Sequence, residues 1–172
     1  MADDRAALAK AEAAMARFRD AGERLDVAAF LETLAPSVRL RSPISLRARF
    51  EGFDDVAEVL RAVFHVLGDI EYFEDVGTSS TRALFYRARI RDEAVQGAIL
   101  VRLDERARVT EMTMFFRPLP GLTALTARLT PRLAAQHGRM RALAVAAMTR
   151  PMAALTSRAD GLGVRLTQPR RR

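Results

Sequence analysis

Three stretches between residues 82 and 117 alternate apolar with polar side chains, and a period of two confines that part of the chain to half-buried β-strands. In the first, Leu84, Tyr86, Ala88 and Ile90 fall on one side, opposite Phe85, Arg87, Arg89 and Arg91. The next sets Val95, Gly97, Ile99, Val101 and Leu103 against Gln96, Ala98, Leu100 and Arg102. In the last, Met112, Met114 and Phe116 oppose Glu111, Thr113, Phe115 and Arg117. The links at 91–93 and 104–107 are short enough for antiparallel hairpins. With a further strand over 70–76, the pattern predicts an antiparallel meander, one face of which is almost wholly apolar and must be covered by helices.

The N-terminal part supplies those helices. Leu8, Ala11, Met15 and Phe18 recur at helical spacing. Asp26 then reads as the N-cap of a short helix carrying Val27, Phe30, Leu31 and Leu34, which Pro36 stops. Val38, Leu40 and Ser42 alternate in a strand ended by Pro43. A third helix, 53–67, gathers Val56, Leu60, Val63 and Phe64 in one stripe before Gly68. The fold class is therefore α+β: a curved antiparallel sheet packed on three N-terminal helices, plus a C-terminal helical tail.

The tail begins where composition shifts to Ala, Leu, Thr and Arg, giving a body over 1–120 and a basic extension over 121–172. Thr130-Pro131 reads as N-cap and first helical position, and Pro151 as the start of another short helix. Leu133, Met140, Leu143 and Ala144 form a stripe expected to dock on the body. Residues 1–117 carry a net charge of −2 and residues 118–172 a net charge of +9.

Composition excludes several chemistries. There is no cysteine, hence no disulfide framework and no thiolate nucleophile, and the two histidines, His65 and His137, lie too far apart in sequence for a known ligand spacing. No Gly-rich phosphate loop occurs, so the expectation is no metal and no cofactor. The acidic start, Met-Ala-Asp-Asp, and the lack of a long apolar run predict a cytoplasmic chain.

Phe50-Glu51-Gly52-Phe53 leading into Asp55-Val56-Ala57, and Val101-Arg102-Leu103-Asp104-Glu105 before Val109-Thr110-Glu111-Met112, resemble the nuclear transport factor two-like superfamily, which includes SnoaL-like polyketide cyclases and ketosteroid isomerases. The resemblance covers about residues 5–120. It implies a cone whose apolar interior holds a small molecule, and pairing of two copies through the outer sheet face. The acid–base residues of the ketosteroid isomerases do not carry over. The matching positions hold Met15, Ser42 and Ile99, which can neither abstract a carbon-bound proton nor stabilise an enolate.

On this reading the ligand contacts are Met15, Ser42, Phe64, Tyr86, Ile99, Met112, Met114, Phe116 and His137. Tyr86 is the polar handle on an apolar strand face, and Met112 and Met114 give a deformable lining. No catalytic residue is assigned. The leading function is binding of a small apolar molecule, with or without cyclase- or isomerase-like turnover in secondary metabolism. Its alternatives are a non-catalytic scaffold, homodimeric through Arg87, Arg89, Gln96, Arg102 and Glu111, and attachment of the tail to an anionic surface, such as a weakly bound membrane. Nucleic acid is disfavoured, because the tail has no aromatic side chain to stack on bases.

Overall fold

The computed structural model describes residues 2–135 and 138–167 of the chain. The chain divides into two compact units, Met1–Phe116 and Arg117–Arg172.

The first unit opens with α1 (Ala2–Glu23) and α2 (Val27–Glu32), followed by β1 (Leu34–Arg41), β2 (Arg49–Glu51) and α3 (Phe53–Phe64). Four strands complete it: β3 (Gly68–Gly77), β4 (Thr81–Ile90), β5 (Glu93–Leu103) and β6 (Val109–Arg117). Asp26 caps α2 as expected, its carboxylate accepting from the Ala29 N–H at 3.0 Å. The six strands form one sheet in the order β2-β1-β6-β5-β4-β3. The meander from β3 to β6 is as predicted. At its end, however, β1 enters parallel to β6, with Leu40 beside Met112, so the sheet is mixed.

Two local readings change. Leu34 and Pro36 belong to β1 and not to the helix before it. Pairing of β1 with β6 shifts register between Leu34 and Arg39, and in that irregular stretch the missing N–H of Pro36 costs no ladder bond. The short strand β2, which pairs Phe50 with Leu40, was not anticipated.

Helices and sheet enclose a core that includes Met15, Phe18, Phe30, Leu40, Val56, Leu84, Ile99, Val101 and Met112, all buried. A run of rings ties its layers together. Phe18 of α1 meets Phe30 of α2 at 4.2 Å between centroids, and Phe30 meets Phe64 of α3 at 5.1 Å. Phe18 also faces Tyr72 of β3 at 6.3 Å, and Tyr72 lies 5.7 Å from Tyr86 of β4. Offset and edge contacts of this kind add about 0.5–1.5 kcal/mol each beyond area burial.

The second unit is a pair of packed helices, α4 (Leu119–Ala135) and α5 (Arg139–Thr167). Thr123 Oγ1 and Thr156 Oγ1 share a hydrogen bond of 2.6 Å between them, and Leu125, Leu129 and Ala146 are buried. Pro131 and Pro151 stand inside these helices and do not start new ones, which corrects the reading of both as first helical positions. The expected stripe also fails. It runs through Gly138, whose left-handed φ of +121° separates the two helices, so Leu133 cannot share a face with Met140 and Leu143. Met140 is 78% exposed and Leu143 is 65% exposed.

Candidate functional site

The inner face of the sheet is the one that packs under the helices, and alternation along β4 puts Arg82, Leu84, Tyr86, Ala88 and Ile90 on it. Leu84 sits beside Ile99, and Tyr86 directly opposite Gly97 on β5. That glycine has a steric purpose. A Cβ at position 97 would come within 2.3–2.5 Å of the Tyr86 ring and hydroxyl, so the missing side chain lets the phenol lie across the β5 backbone.

Tyr86 is 2% exposed, and its Oη has no hydrogen-bond partner among the described residues. Leaving a buried hydroxyl unmet costs about 1–3 kcal/mol. Burial pushes this phenol above the ordinary tyrosine range. Tyr72 is raised as well, first by burial, then by Tyr86 and Glu23, with Arg19 opposing. Both hydroxyls are therefore neutral donors near neutral pH. They can give a hydrogen bond to an oxygen and are poorly suited to giving up a proton.

The neighbouring polar group on this face was not foreseen. Asp75 Oδ1 accepts from Arg82 Nε at 2.6 Å, with both side chains sealed at 7% and 6% exposure, and Arg19 of α1 stands 3.8 Å from the same carboxylate. Arg82 Nη1, like Tyr86 Oη and Arg41 Nη1, is buried without a hydrogen-bond partner among the described residues. The edge strand is held nearby by Glu23, whose Oε1 accepts from the Tyr72 N–H at 2.8 Å.

Of the residues expected to meet a ligand, Met15, Tyr86, Ile99 and Met112 are buried, while Phe64, Met114 and Phe116 are half-buried. Alternation on β6 keeps Met114 and Phe116 on the Met112 side. Ser42 follows β1, and its Oγ accepts from the Ile44 N–H at 3.1 Å, a turn-capping arrangement. His137 lies outside the described residues. Among the described residues no group of three or more histidine, cysteine, aspartate or glutamate side chains is placed to hold a metal.

No protein-family model matches the sequence, and no curated protein does. Solved structures do. A steroid Δ-isomerase from Pseudomonas aeruginosa superposes with a TM-score of 0.67 at 26% identity, covering 74% of this chain and 94% of that one. A SnoaL-like protein of unknown function from Burkholderia thailandensis gives a TM-score of 0.56 at 18% identity, covering 64% and 97%. The epoxide hydrolase/cyclase-like enzyme SalBIII, of pyran ring formation in the polyether salinomycin, gives a TM-score of 0.55 at 15% identity, covering 63% and 91%. The last two likenesses concern the fold alone. In fold, then, this chain is similar to steroid isomerase, SnoaL-like and nuclear transport factor two-like proteins.

Proposed function

We propose that the body, residues 1–120, binds a small and mainly apolar molecule carrying one oxygen acceptor, and that Tyr86 Oη donates to that oxygen. The observation that carries this reading is the buried phenol hydroxyl without a partner among the described residues, on the sheet face that also carries the buried Leu84, Ile99 and Met112. Such a donor is costly in an empty core and useful beside a ligand. The Met15, Ser42 and Ile99 set argues against enolisation of a steroid, despite the isomerase likeness.

The test is mass spectrometry of the chain purified gently from its own host, beside the Tyr86→Phe variant. The expected result is an oxygen-bearing apolar compound on the parent chain and several-fold less on the variant, with thermal stability equal or slightly higher. A parent chain that carries nothing and binds no apolar probe would overturn the reading.

The outer face favours a second, compatible reading, in which two copies pair through it. Phe73 and Phe115 stand exposed there, with the Arg87 guanidinium 4.6 Å above the Phe73 ring. A Phe115→Glu variant should elute as a monomer where the parent elutes as a dimer. A monomeric parent chain would end this second reading and leave the first intact.

A further inference from the structure

Among the described residues of α5, five large apolar side chains, Met140, Leu143, Met148, Met152 and Leu155, are exposed. At about 100° per residue they fall within one half of the helix circumference. The opposite half is already used, because Ala146 is buried and Thr156 bonds to Thr123 of α4. The apolar half of α5 thus has no partner within its own helical pair.

Charge says what kind of surface fits it. Exposed arginines accompany the apolar half: Arg139 and Arg150 lie along one margin, Arg141 just inside the other, and Arg158 at the angle of Met140, one turn beyond the last of the five. Residues 118–172 carry +9, with Asp160 as their only acid. A second copy of the same face would bring two strongly cationic surfaces together, so self-pairing is opposed. A polyanion such as nucleic acid would satisfy the arginines and leave the methionines and leucines in water, and this segment has no aromatic ring to stack on a base. A surface presenting negative headgroups above hydrocarbon answers both halves of the pattern at once. Arginine stems can lie along the apolar boundary while their guanidinium groups remain among the headgroups. Spanning is a separate matter: among the described residues no helix is long and apolar enough to cross a membrane.

We infer that α5 lies flat on anionic lipid, its Met140, Leu143, Met148, Met152 and Leu155 face inserted at the headgroup boundary and its arginines paired with lipid phosphate. The inference is independent of what the body binds. The experiment is co-sedimentation of the full chain with vesicles of phosphatidylcholine alone and of phosphatidylcholine mixed with phosphatidylglycerol. Binding is expected to the mixed vesicles only. A Leu143→Glu/Met148→Glu double variant, altered at exposed positions and checked for unchanged circular dichroism, should lose about tenfold or more of its partitioning. Parallel assays cover the other occupants. Equal binding by parent and variant would reduce the interaction to charge alone and overturn the proposal, as would absence of binding to the mixed vesicles. Duplex DNA bound more tightly than the mixed vesicles, or a vesicle-free dimer that the double variant abolishes, would overturn it in favour of nucleic acid or a second copy.

Discussion

In the body, Met15, Leu40, Leu84 and Met112 are sealed from water, whereas in the tail Met140, Leu143, Met148 and Leu155 stand in the open. The residue types are the same and the use is opposite. A six-stranded sheet under three helices offers each apolar side chain neighbours on several sides, while two packed helices can seal only the stripe between them. Apolar content by itself therefore does not say what a segment buries. In the body it reports on stability, and in the tail it reports on a surface still to be covered.

That contrast can be broken by substitution, beginning where the body has most to lose. Asp75→Ala leaves the Arg82 guanidinium buried and unpaired and should cost about 3–5 kcal/mol in denaturant unfolding. An Asp75→Leu/Arg82→Met pair should recover most of the loss, and an equal deficit in both would show that the ion pair is not the cause. Ile99→Ala should cost about 2–5 kcal/mol, the usual range for a buried aliphatic truncation. Gly97→Ala should cost about 1–3 kcal/mol through its clash with Tyr86. A shorter side chain at position 86 should shrink that cost in a double-mutant cycle.

Asp104→Asn probes the turn between β5 and β6. Desolvation alone would raise the Asp104 pKa, but the backbone and side-chain hydrogen bonds and charge of Arg108, with the Arg106 N–H, outweigh it and hold the carboxyl below its ordinary range. A depressed folded-state pKa contributes stability above the unfolded pKa and loses it as pH falls through the folded value. The variant should therefore be about 1 kcal/mol less stable at neutral pH, and the gap should close in acid. The smallest effect belongs to the tail, where Leu143→Ala should change unfolding free energy by no more than about 0.5 kcal/mol. A larger loss would mean that this face is covered in solution.

How much of this is legible in the sequence depends on whether geometry is local. The strands from β4 to β6 show themselves because alternation needs only neighbours two residues apart, and Tyr86 is found for the same reason. Asp75 escapes notice because β3 shifts register between Tyr72 and Glu74, and that irregularity turns the carboxylate inward, where simple alternation from Tyr72 would point it out. Arg82 escapes because an arginine at a strand end reads as solvated until its partner across the hairpin is known. The junction of β1 with β6 is invisible for a third reason, since nothing near Leu40 announces Met112. In the tail, one left-handed glycine was enough to divide an apparent stripe into two unrelated faces.

The parallel seat of β1 also sets an order of events during folding. The hairpins from β3 to β6 close short loops, but joining Leu40 to Met112 closes a loop of about seventy residues and loses more chain entropy before any contact compensates. The meander should form first and act as the template onto which β1, carrying β2 beside it, is laid last. During refolding, amides of β1 and β2 would then gain protection from hydrogen exchange later than those of β4 and β5, and simultaneous protection would mean that the sheet condenses as one unit.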